Sequence, residues 1–162
     1  ATLPSDKRRD SNRRWRGQER KAGMGPVNWM GVVVAALAAL AVAGLWYGPM
    51  FGRARLEEVG PGRLGIRRSP ARTAVLTAGL LLVTAAMMGH MFARVGAATL
   101  AVKWWLYLMM SGGLAIAFVI PALWISYAQQ RIGMRLALID AGFWLAGYLA
   151  MGLAFMLMDR WG

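Results

Sequence analysis

Four long apolar runs dominate the chain, covering residues about 29–51, 71–92, 104–127 and 134–158, and none carries a lysine or arginine near its middle. Charged and turn-forming residues gather between the runs. Backbone inside hydrocarbon has no water to bond with, so each run is predicted to be a helix, which satisfies its own N–H and C=O groups. A helix needs about 20 residues at 1.5 Å each to cross a bilayer, and all four runs reach that length. Aromatic residues mark the ends. Trp29 and Trp46 are separated by 17 positions, roughly 25 Å along a helix, the spacing of two membrane interfaces. The third run begins with Trp104, Trp105 and Tyr107 and ends with Trp124 and Tyr127. The predicted architecture is an all-α integral membrane bundle of four helices occupying residues 24–162.

The first run stops abruptly at "GLWYGPMFGRAR", residues 44–55. Gly48-Pro49 weakens helical continuation, and Arg53 and Arg55 belong in the headgroup layer, where long stems let the charge reach water. Ala41-Val42-Ala43 resembles a signal-peptide cleavage site. The run nevertheless stays apolar to Phe51, longer than a signal core, so the segment is expected to be retained as a span. Small residues recur at helix-packing spacing, as Ala35, Ala39 and Ala43 and as Gly44-x-x-x-Gly48. The glycine pair is expected to let another helix of the bundle approach closely. Pro121 deprives the Ala117 carbonyl of a donor and is expected to kink the third span.

Composition supports lipid as the solvent. The chain has 162 residues, enough for one domain, and is 58% hydrophobic with 12 Met, 8 Trp and a mean hydropathy of +0.44. Cysteine is absent, which excludes disulfides, thiolate catalysis and cysteine-based metal centres. The net charge of +12 could point to nucleic acid, but its distribution does not. Residues 1–23 hold eight Lys/Arg and residues 52–72 hold six, all between the apolar runs or at their ends. That pattern follows from the positive-inside rule and from anionic headgroups, and nucleic acid is not an expected partner. Residues 1–23 are polar and almost free of aliphatics, and are expected to be a disordered, dispensable basic tail, with Met24 the expected start of translation. Without that tail, one side of the membrane holds Arg94, Lys103 and Arg160. The other holds Arg53, Arg55, Arg63, Arg67, Arg68, Arg72, Arg131 and Arg135. The three-to-eight imbalance predicts a cytoplasmic 52–72 connection and a multi-pass protein.

Candidate chemistry is sparse. The single histidine, His90, cannot build a two-histidine metal site. Antiparallel threading puts it across the membrane from Asp140. Met30, Met87, Met88, Met91, Met109, Met110, Met156 and Met158 fall on the same half of the membrane as His90. Thioethers suit Cu(I), yet methionine more often fills gaps between helices, and no metal or other cofactor is expected. Asp140 is the sharper feature, because an acid inside a span is costly and faces protein or water. Trp144, Tyr148 and Gly152 continue its helix face. Asp140 either lies shallow enough to be wet, or pairs with an arginine of that side for insertion and packing, or serves a site. The end of the first span and the start of the fourth share one membrane face, so Trp46, Tyr47, Arg53, Asp140 and Trp144 form the candidate site. Arg53, Trp46 and Tyr47 are the expected partners of the acid, with Gly44 and Gly48 allowing the approach.

The segments "VNWMGVVVAALAALAVAGLWYGPMFGRA" and "LIDAGFWLAGYLAMGLAF" resemble the opening and closing segments of domain-of-unknown-function family 1761, small bacterial membrane proteins. Asn28, Trp29, Leu45, Trp46, Tyr47, Pro49, Phe51, Gly52 and Arg53 match its first element, and Ala141, Gly142 and Phe143 its last. Asp140 stands where the family pattern has Asn, and Arg55 where it has Trp. The resemblance starts near Met24 and implies a four-helix protein of the bacterial inner membrane with no established activity, cofactor or catalytic residue. Two functional readings follow. One is a structural or accessory bundle that binds lipid, a membrane-protein partner or a second copy of itself. The other is a small transporter or channel with Asp140 and the Pro121 kink in a polar path. Enzymatic activity is not expected.

Overall fold

The computed structural model describes residues 25–59 and 69–161. The basic stretch 1–23 and Met24 lie outside them, as do residues 60–68 of the first connection. Six helices form among the described residues: α1 (Trp29–Met50), α2 (Gly52–Val59), α3 (Pro70–Val95), α4 (Ala97–Val102), α5 (Trp105–Gln129) and α6 (Met134–Trp161). Helices α1, α3, α5 and α6 are long and apolar enough to span a membrane. Their ends fall within about three residues of the boundaries set by the hydropathy pattern.

Local chemistry explains where the helices start and bend. Asn28 caps α1, its side chain accepting a bond from the Gly31 N–H at 2.8 Å, which satisfies a donor left over at the helix start. Pro49 does not stop α1. The last five residues, Trp46–Met50, widen into a π-turn, and the Phe51 N–H reaches back five residues to the Trp46 carbonyl at 2.8 Å. Widening absorbs the donor that proline lacks. A similar widening precedes the second proline: Ala115–Val119 is π-helical, ending one residue short of Pro121. Gly96 joins α3 to α4 with φ at +87°, a conformation a side chain would strain.

The 52–72 connection is rich in turn-forming residues, yet its first third is helical. Phe51 leaves the helical region at φ −121° and ψ 6°, and α2 restarts at once as a short polar helix with no buried residue.

In the core, α1 lies against both α6 and α3, while α5 packs on α6. Van der Waals packing must hold these helices together, because lipid tails solvate leucine as well as a neighbouring helix does. The seams are accordingly built from small residues. Ala35 and Ala39 of α1 are fully buried. A Cβ on Gly31 would lie 3.1 Å from the Phe155 ring, and one on Gly152 would lie 2.7 Å from the Tyr107 backbone oxygen. Among the described residues Gly44 and Gly48 have no such role, since a Cβ on either would meet nothing within 4 Å. The close approach predicted for that glycine pair is made by Gly31, Ala35 and Ala39. Phe92, Met88, Met151 and Phe155 fill the centre, with the Phe92 ring 4.7 Å from Tyr107 and 5.2 Å from Phe155. The outward surface is apolar as well, carrying Leu37, Val75, Val83, Phe118, Ile125 and Leu138.

Candidate functional site

Asp140 lies two turns into α6 and is 3% exposed. Three segments meet its carboxylate. From the π-turn of α1, the Tyr47 hydroxyl donates to Oδ1 at 2.8 Å. From the last turn of α5, the Tyr127 hydroxyl donates to Oδ2 at 2.5 Å. From α2, the Arg55 Nε sits 3.5 Å from Oδ1. The guanidinium also lies over the Tyr47 ring at 4.9 Å, a cation–π contact that fixes the ring and the charge together. The acid is therefore held by one opposite charge and two phenols, as a carboxylate in a low-dielectric setting requires. Among the described residues no buried side-chain nitrogen or oxygen lacks a partner.

The aromatics around it divide into two groups. Trp46 touches the same stretch of α6 without touching the acid. Its indole N–H donates to the Ile139 carbonyl at 3.0 Å, and its ring occupies the space where a Gly142 side chain would begin, 2.8 Å away. Tyr47 packs on Phe143 at 4.9 Å and Trp46 on Phe51 at 4.7 Å. Trp144 turns along α6 to Phe143 at 5.2 Å and Tyr148 at 6.1 Å, so it supports the cluster's wall and makes no contact with the carboxylate.

Arg53 is not the cation. It is exposed and forms no ion pair among the described residues, and Arg55 takes that place. The reason is helical phase. Two residues on a helix differ by about 200° in direction, so only one of these arginines can face α6. Residues 52–59, read as loop, carried no phase. Two residues of the cluster thus escaped sequence reasoning. Tyr127 reads as an interfacial aromatic, and only the short turn between α5 and α6 brings it back to Asp140. Arg55 was visible as a departure from the family pattern. Arg135, one turn earlier on α6, adds exposed ion pairs to Glu58 at 3.3 Å and Glu57 at 3.6 Å. Exposed pairs of this kind contribute little each, and here they help keep α2 against α6.

A second acid lies at the far end of α6. Asp159 accepts from the Asn28 amide at 2.8 Å through Oδ1 and from the Tyr107 hydroxyl at 2.5 Å through Oδ2. A cavity of about 300 Å³ opens beside it, walled by Leu100, Trp104, Tyr107, Met156 and Arg160 among others. His90 belongs to this end too, its Nδ1 2.9 Å from the Ala86 carbonyl and its ring edge-on to Trp29 at 6.0 Å. The methionines of this half scatter: Met88 is buried, while Met30, Met87 and Met109 point outward.

Residues 30–156 match the model of a family described as "Protein of unknown function (DUF1761)". The matched stretch contains Tyr47, Arg55, Tyr127 and Asp140, and it ends before Asp159. No curated protein and no solved structure matches the chain.

Proposed function

The chain belongs to the DUF1761 family of unknown function, and on that premise we propose that it is a structural or accessory helix bundle of the membrane, acting by binding a partner protein or lipid and not by catalysis. The observation that carries this reading is the saturation of Asp140. A carboxylate that moves ions or protons must exchange partners with its cargo. This one accepts from Tyr47 and Tyr127 and faces Arg55, so releasing it would strand three groups at once. Around this buried acid the bundle presents an outer surface of Leu37, Val75, Val83, Phe118 and similar side chains, which is the surface a membrane partner would meet.

The test is reconstitution and purification side by side. The purified protein in liposomes should conduct neither protons nor alkali cations above empty liposomes, and a defined membrane protein should copurify in mild detergent. Flux abolished by Asp140→Asn would overturn the reading in favour of a transporter.

The charge imbalance supports an inner-membrane protein with the α2 connection in the cytoplasm. Ser69 and Ala97 are both exposed and lie at opposite ends of α3. Single cysteines there should label from opposite sides of intact cells. Labelling of position 69 by an impermeant reagent from outside would reverse the orientation.

A further inference from the structure

We propose that the cavity beside Asp159 is a headgroup site for a zwitterionic phosphoethanolamine lipid, with the ammonium on Asp159 and the phosphate on Arg160. The inference deepens the lipid half of the binding reading and makes no use of the Asp140 cluster.

Depth comes first. Asp159 follows Asp140 by 19 positions on one continuous helix, about 28 Å, which puts the two acids at opposite membrane interfaces. Trp104 and Lys103 lie at the Asp159 end, in keeping with headgroup level.

Charge comes next. Both bonds made to Asp159 come from neutral donors, an amide and a phenol. They orient the carboxylate and leave its negative charge uncompensated. Each oxygen keeps a lone pair beyond the one already used. Arg94, Lys103 and Arg160 are the cations nearest in sequence to this end, yet among the described residues none forms an ion pair with Asp159. The cavity wall therefore offers an oriented carboxylate and, from the next residue, a guanidinium. An ammonium separated from a phosphate by two carbons satisfies both. A purely anionic headgroup would meet Asp159 as a like charge. A quaternary ammonium carries no N–H with which to use the remaining lone pairs.

Shape agrees with this. Trp104 lines the wall, and an indole beside a cation adds attraction. Leu100, Ala101 and Met156 supply apolar lining for the glycerol and first methylenes of an acyl chain. About 300 Å³ accommodates a headgroup, with the tails left in the bilayer.

The test is lipid retention by the full-length protein. Native mass spectrometry would follow exposure to an equimolar mixture of phosphatidylethanolamine, phosphatidylcholine and phosphatidylglycerol. Phosphatidylethanolamine should be retained about tenfold over either competitor, the worth of one hydrogen bond to a charged group. Asp159→Asn should remove that preference. Because this variant also touches the bond from Tyr107, a second one guards against a folding effect: Ala101→Phe fills the cavity and leaves both hydrogen bonds of Asp159 in place. It should lower phosphatidylethanolamine retention to the level of the other two lipids. Equal retention of the three lipids by the unaltered protein, a preference for phosphatidylglycerol, or wild-type retention by Ala101→Phe would each overturn the site. Those results would leave the accessory reading standing, whereas Asp140-dependent flux would remove that reading and leave this site untouched.

Discussion

The two ends of α6 solve the same problem with different means. At one end Asp140 accepts from Tyr47 of α1 and Tyr127 of α5; at the other Asp159 accepts from Asn28 at the start of α1 and Tyr107 of α5. Each acid ties the last helix to the same two neighbours. The difference is the cation. Asp140 is almost wholly buried and has Arg55 beside it, while Asp159 is exposed and has no ion pair among the described residues. The contrast shows what the guanidinium is for. A carboxylate without water needs an opposite charge as well as donors, whereas one at the interface can be held by neutral donors because solvent screens it.

The largest effect should separate the acids themselves. Asp140→Ala removes three contacts at once, strands the Tyr47 and Tyr127 hydroxyls beside a half-exposed Arg55, and should cost about 3 kcal/mol. Asp159→Ala, at a wet site, should cost about 1 kcal/mol. Thermal unfolding in one detergent would compare them, and equal losses would erase the distinction. Asp140→Asn should fall between, since an amide oxygen keeps an acceptor. A smaller difference should divide the two arginines. Arg55→Ala should destabilise by roughly 1–2 kcal/mol, reduced by its partial exposure, and Arg53→Ala by less than about 0.5 kcal/mol. The same unfolding measurement decides, and a reversed order would return the role to Arg53. The finest comparison sets phenol against phenol. Tyr127→Phe should lose about 1 kcal/mol and Tyr107→Phe less, because water can replace the second bond more readily than the first. A larger loss at Tyr107 would mean that the Asp159 end is the drier one.

The spans were legible because hydrocarbon length and aromatic belts leave coarse marks in any sequence. The meeting of Tyr47 with Asp140 was legible too, because antiparallel threading equates depths at the two ends of a chain. Phase was not legible. Helix α1 is apolar on every side, so nothing in its pattern says which small residues face a neighbour. In the sequence Gly44 and Gly48 are as suitable as Ala35 and Ala39, and only packing separates them. The direction of Arg55 was not legible for a related reason: α2 is short and polar, with no periodicity to announce it. Asp159 was overlooked because an acid at a span's end is ordinary. Its distinction lies in the two helix starts that converge on it, and no local pattern encodes that convergence.

The seam between α1 and α6 joins the first described helix to the last, and this has a consequence for how the protein is made. Every partner of both acids, namely Asn28, Tyr47, Arg55, Tyr107 and Tyr127, lies earlier in the chain than the acid it serves. During synthesis these groups enter the membrane before anything exists for them to bind. The small-residue face of α1 meanwhile meets lipid. One event, the arrival of α6, closes the seam and supplies both carboxylates. A chain that stops before Met134 has neither acid and no partner for that face. Among the described residues, α6 thus supplies both carboxylates, and closes the seam with α1, in a single late step.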